Sequence, residues 1–89
     1  MNEVQNEYTL VGYRRLSFPD DDGKMIEGTQ VVVIDSNQDT ENSISYPMKY
    51  WFPDLKTFAD LKKAKYAFGQ NVTITFEIRG TKLKPRDIM

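Results

Sequence analysis

Two stretches of this 89-residue chain set cationic side chains among aromatic rings: Tyr13-Arg14-Arg15 with Phe18 close behind, and Lys49-Tyr50-Trp51. A third alternates cations along the chain: Lys82, Lys84 and Arg86. A guanidinium or ammonium group offers charge to a phosphate, and an open ring offers a π-face to a nucleobase. Surfaces that hold single strands without reading their sequence combine these two elements, each stacked base contributing roughly 1–3 kcal/mol.

Other chemistry is poorly supplied. The chain has no cysteine and no histidine, so it lacks thiolate nucleophiles, disulfides and the commonest general base and metal ligand. The acidic run Asp20-Asp21-Asp22-Gly23 lacks the alternating oxygen ligands and closing glutamate of a calcium loop, and reads as a solvated turn. No phosphate-binding glycine loop, nucleophile elbow or dinucleotide fingerprint is present. The expectation is a binding protein rather than an enzyme, with no metal, no cofactor and no small-molecule substrate.

The net charge of −1 conceals an asymmetry. Residues 1–48 hold three basic against nine acidic side chains, whereas residues 49–89 hold nine basic against four acidic. Such a division points to a basic surface within a neutral total. The N-terminus is polar, and no apolar run approaches the roughly 20 residues of a membrane span, so a cytoplasmic protein without membrane contact is expected.

The elements that must position these side chains fit one domain, residues 1–89, with 1–6 expected to be mobile. Tyr8–Phe18 reads as a long strand whose alternation slips at Gly12, the mark of a bulge or a sharp coil. Pro19 and the aspartates make a turn into a second strand, Gly28–Asp35, whose apolar run Val31–Ile34 implies burial near both faces. "SNQDTENS" is a polar loop, and Ile44–Phe52 a third strand in which Pro47 demands an edge or an irregularity. A helix of about three turns follows, capped by Asp54, carrying Leu55, Phe58 and Leu61 inward and stopped by Gly69. "NVTITFEIRG" alternates cleanly, with Val72, Ile74, Phe76 and Ile78 inward. A short last strand places Leu83 inward and Lys82, Lys84 and Arg86 opposite.

This parity sorts the rings. Phe52, Phe58, Phe68 and Phe76 are expected in the core, as are Tyr46 and Tyr50. Trp51 and Tyr13 take the other parity and are the stacking candidates. Arg14 and Arg15, being adjacent, face opposite sides unless a bulge intervenes. Five strands with a helix between the third and fourth match the layout of the oligonucleotide/oligosaccharide-binding (OB) barrel, a mainly β, five-stranded Greek-key barrel. An SH3-like barrel and an open α+β sheet are the alternatives.

The order of these signals resembles the small single-stranded DNA-binding proteins of filamentous phages, the gene V proteins. The matching pieces are the arginines of the first strand (Arg14, Arg15), Gly23-Lys24 before "QVVVID", then "YAFGQNVTI", and "LKP" near the end. The resemblance implies an OB-type homodimer that coats single-stranded DNA cooperatively, with Arg14 or Arg15, Lys24 and nearby rings on the DNA face. The chain departs from that pattern in its helix after the third strand and its three consecutive aspartates. DNA is the expected partner, with RNA left open. The competing expectation is a protein-interaction module of a phage or other mobile element, whose acidic first half docks on a protein through "DDDG" and "SNQDTENS", with Tyr13 and Trp51 as anchors.

Overall fold

A computed structural model describes residues 2–36 and 46–89. Most of the expected "SNQDTENS" loop, with Ile44 and Ser45 of the expected third strand, lies outside the described residues. Strands β1 (Glu3–Pro19), β2 (Met25–Asp35) and β3 (Met48–Phe52) precede helix α1 (Lys56–Lys63), and β4 (Asn71–Arg79) and β5 (Lys82–Ile88) follow it. All pairings are antiparallel and form one open sheet of order β3-β2-β1-β4-β5.

The 17-residue β1 is the spine of the sheet. Its first part, Glu3–Thr9, pairs with β4, and Tyr8 onward pairs with β2. Glu3–Asn6 is therefore strand rather than a mobile start. Its polar side chains conceal the pairing, since only Val4 of that segment packs against the core. Leu10 opposes Val33 and Gly12 opposes Val32, so Val11 is the extra residue of the bulge that the sequence slip predicts. One extra residue reverses which parity faces inward. Tyr8 and Leu10 face in before the bulge, and Tyr13 does so after it.

The inner face holds Tyr8, Leu10, Val31, Val33, Phe52, Val72, Ile74 and Phe76, all buried, with Leu61 of α1 closing one end. The rings show how strongly the sheet rolls. In a flat sheet, β3 and β4 would lie roughly 14 Å apart, three strand spacings. Yet Tyr50 of β3 and Phe76 of β4 meet edge-on with centroids 5.0 Å apart, and Tyr8 sits 5.7 Å from Tyr50. The rolled sheet also brings the two edge strands, β3 and β5, into contact.

Thr29 is the buried polar residue of this core among the described residues. Its hydroxyl donates to the Asp54 carbonyl at 2.8 Å and accepts from the Phe58 amide at 3.1 Å, tying the start of α1 to β2. The residue flanking the helix is Leu55, which makes no side-chain cap, but Asp54 just before it supplies the expected bond to the first turn. Leu55 already has near-helical dihedrals (φ −91°, ψ −10°), and Asp54 Oδ1 accepts from the Thr57 amide at 2.7 Å. The helix has eight residues, shorter than the three turns expected, because Lys65 turns left-handed (φ 59°) well before Gly69. That early stop leaves Phe68 82% exposed, not in the core. Tyr46 is likewise exposed, since β3 begins only at Met48, beyond Pro47. Ile78 and Leu83 keep the inward parity, being paired with each other, but lie past the end of the core and are partly open. Among the described residues, no helix is long and apolar enough to cross a membrane.

Candidate nucleic-acid interface

Strand register determines which side chains share the outer face, because residues directly paired across an antiparallel ladder point the same way. Trp51 pairs with Gln30, and Gln30 with Arg14, so these three form one outward row across β3, β2 and β1. Arg14 Nε donates to Gln30 Oε1 at 2.8 Å, which fixes the guanidinium along that row. Lys49 pairs with Val32 and lies two residues from Trp51 on the same outer side.

The indole of Trp51 is half-buried and lies across Gly28. A Cβ at Gly28 would come within 2.6 Å of Trp51 Cη2 and of the Phe52 carbonyl oxygen. The absent side chain at Gly28 is thus the space the indole occupies. Phe18 flanks it with centroids 5.5 Å apart and is itself 42% exposed. Trp51 is held by its neighbours but keeps part of its ring open.

Across the seam from this row stands β5. Its turn from β4 pairs Arg79 with Lys82 and Glu77 with Lys84, so all four side chains project outward together. Between β3 and β5 runs a cleft of about 630 Å³. Its floor is mostly apolar (Tyr50, Trp51, Pro53, Leu83 and Pro85), and its rim is formed by Lys49, Arg79, Lys82 and Lys84. Among the described residues no carboxylate lies within ion-pair distance of the three lysines, although Glu77 projects beside Lys84 and feels its charge. Arg79 is engaged differently: its Nε donates to Glu77 Oε1 at 3.1 Å, and Arg86 approaches the other carboxylate oxygen at 3.5 Å. The Arg79 hydrogen bond, reinforced by the charges of Arg79, Arg86 and Lys84, holds the Glu77 carboxyl below its ordinary range. Beneath the floor, burial and then the Tyr8 hydrogen bond push the Tyr50 phenol well above its ordinary range. The two hydroxyls lie 3.1 Å apart.

The sequence-predicted residues divide accordingly. Lys49, Trp51, Lys82 and Lys84 meet around the cleft, and Arg14 and Phe18 lie on the face continuous with it. Tyr13 does not join them. The bulge turns it to the inner face, where it packs against the core and meets Phe58 with centroids 5.5 Å apart. Arg15 follows it inward and sits over the Phe58 ring at 5.5 Å, beside α1. Lys24 stands at the tip of the β1–β2 hairpin, its amide bound to Asp20 Oδ1 at 2.9 Å. Arg86 lines a separate depression with Glu3 and Asp87.

Arg79, Pro53 and the cradle residue Gly28 were not singled out from the sequence, which places Leu83 inward on the last strand rather than in a cleft. Arg79 was recoverable, because it lies on the wet parity of β4 and a tight turn at Gly80 places it opposite Lys82. Asp20 Oδ1 accepts the amides of Asp22 and Lys24 within the hairpin turn, and among the described residues no group of acidic side chains is arranged to hold an ion. No known protein family, characterised protein or solved structure matches the chain.

Proposed function

We propose that this protein binds single-stranded DNA without sequence specificity, as a non-catalytic cytoplasmic protein of the kind carried by phages, plasmids and other mobile elements. The observation that carries the reading is the cleft between the two sheet edges. Lysines from β3 and β5, distant in sequence, line one apolar trough whose wall is a partly open indole. Bases lie on Trp51 and the apolar floor, while Lys49, Lys82 and Lys84 take the phosphates.

The same reading assigns the sheet to the OB class. Hydrogen bonding between β3 and β5 would close the order β3-β2-β1-β4-β5 into a five-stranded ring with α1 at one end, the OB arrangement. A homodimer belongs to this reading too, and sedimentation of the free protein measures it.

The test is titration with fluorescent oligo(dT) at several salt concentrations. Three lysines on phosphates give a slope of log K against log salt of about −2, at roughly 0.7 per cation for a single strand. Trp51, the one tryptophan, is quenched on binding. Absence of binding at low salt, or binding indifferent to salt, refutes the proposal. A second reading has an observation of its own. The seam exposes backbone edges of β3 and β5, which an extended polypeptide can pair with. A protein partner that survives nuclease treatment and is retained, or held more tightly, by the K49Q/K82Q/K84Q variant favours that reading.

A further inference from the structure

A second group of cations lies beyond the cleft. Arg15, Lys62 and Lys63 surround a depression of about 590 Å³ whose apolar base is Leu55, Phe58 and Ala59. Arg15 is positioned by its contact over Phe58 rather than by an acid, and among the described residues none of the three cations is paired with a carboxylate. Asp60 of α1 opens on another depression with Thr57 and Ala64, although it lies one turn from Lys63 on the helix surface. Asp54, next to Leu55, has its carboxylate turned to the helix, accepting from both the amide and the hydroxyl of Thr57, while Glu27 shares an adjoining depression with Arg15 and Leu55.

The two basic regions are joined by a short corner. Pro53 lines the cleft and Leu55 lines the helix patch, two residues apart, which is at most about 7 Å of chain. The corner is tight, with the Asp54 amide bonded to the Phe52 carbonyl at 2.8 Å. A flexible polyanion lying in the cleft therefore needs only to cross this corner to reach three further cations.

Resting on the reading of the cleft as a single-strand site, we propose that Arg15, Lys62 and Lys63 form a second backbone-contact patch. It takes the phosphates of the same strand after it passes over the Pro53–Leu55 corner. The cleft carries stacking, whereas the Phe58 ring is covered by Arg15 and the helix patch supplies charge alone. Binding then has a length threshold, a short oligonucleotide filling only the cleft and a longer one engaging both regions.

Oligo(dT) of about 4, 8 and 12 nucleotides, within the range that one such domain covers, tests this against the wild type, R15Q/K62Q/K63Q and K62Q/K63Q. The last variant keeps the Arg15–Phe58 contact in case its loss perturbs the fold. For the wild type, the salt slope steepens from about −2 on the shortest oligonucleotide to about −4 on the longest. The triple variant binds the shortest oligonucleotide like the wild type but loses about 100-fold on the longest at 0.1 M salt, and the double variant about 25-fold, as 0.7 of a slope unit per cation implies. Wild-type affinity and slope for the longest oligonucleotide in both variants would overturn the patch while leaving the cleft untouched. Failure of the wild type to bind any length would overturn both.

Discussion

Replacing Gly28 with alanine probes the contact on which the open face of Trp51 depends. The position does not need glycine for its dihedrals, since the backbone there is extended strand paired in the β1–β2 ladder. What it needs is space. The added Cβ would stand 2.6 Å from Trp51 Cη2 and from the Phe52 carbonyl oxygen, inside the 3.0 Å that real Cβ atoms respect. The carbonyl belongs to β3, held by pairing with β2, and Phe52 is buried, so the backbone cannot easily retreat. The indole must therefore swing out.

Overpacking of this kind costs about 1–3 kcal/mol. Relief of the glycine's backbone entropy returns about 0.5–1 kcal/mol. The net loss, centred on about 1 kcal/mol and at most about 2.5 kcal/mol, lowers the melting temperature by up to roughly 20 °C in a domain this small. Calorimetry measures that loss. The fluorescence of Trp51, unambiguous in a chain with one tryptophan, should shift to longer wavelength as the ring enters water. A double-mutant cycle with Trp51→Ala assigns the source, because removing the indole removes its share of the clash and makes the two losses non-additive. An unchanged melting temperature with unchanged emission would show that the indole does not lie over Gly28, and the construction of the cleft wall would fail with it.

Three other expectations follow from the same contacts. Thr29→Val keeps the shape but strands the Phe58 amide and removes the tie to Asp54, costing about 1–3 kcal/mol by calorimetry; a neutral result would mean that α1 is not anchored there. The Tyr50 phenol is pushed up by burial and by Tyr8, so its stabilisation is complete below the ordinary tyrosine pKa, about 10, and is lost as pH rises above it towards the folded value. Melting temperatures should hold to about pH 9 and then fall, and Tyr50→Phe should flatten that fall; an identical alkaline profile in the variant would exclude Tyr50 as its source. Removing the cleft charges with K49Q/K82Q/K84Q should flatten the salt slope by about 2 and weaken oligo(dT) binding about 100-fold at 0.1 M salt, whereas a wild-type slope would rule these lysines out as phosphate contacts.

How far the sequence disclosed this arrangement depended on whether a residue's place follows from local period. Val72, Ile74 and Phe76 alternate with polar neighbours because one face of β4 is buried and the other wet, so their inward placement was legible. The outward parity of Lys49 and Trp51 was legible for the same reason, and the slip at Gly12 showed the bulge. What the bulge did to Tyr13 was not extracted, although a one-residue insertion reverses facing for everything beyond it. Phe68 failed for another reason: its helical spacing from Leu61 mattered only if the helix continued, and the left-handed turn at Lys65 had no glycine or proline to announce it. The pairing of Glu3–Asn6 with β4 joins segments about seventy residues apart and leaves no local trace. The seam itself belongs to this last kind, since only the roll of the whole sheet sets Lys49 across from Lys82 and Lys84.

That seam carries two demands that the same lysines can meet. An unpaired strand edge invites pairing with another chain, and charged side chains, lysine above all, and proline blunt it. Lys49 on β3, with Lys82, Lys84 and Pro85 on β5, would serve that purpose if no nucleic acid existed. Charge reversal separates the two roles where neutralisation cannot. In K49E/K82E/K84E the edges remain charged and protected, so the protein stays dispersed, but phosphate is repelled and oligo(dT) binding disappears. If edge protection were the only role, glutamine at these positions would promote association while glutamate would change nothing measurable. The apolar floor argues for the binding role on independent grounds. Protection requires only charge at the edge, and it gives no reason for Leu83 to lie 51% exposed beside a half-open indole. An apolar trough with a cationic rim has the chemistry of a strand whose bases and phosphates must be accommodated side by side.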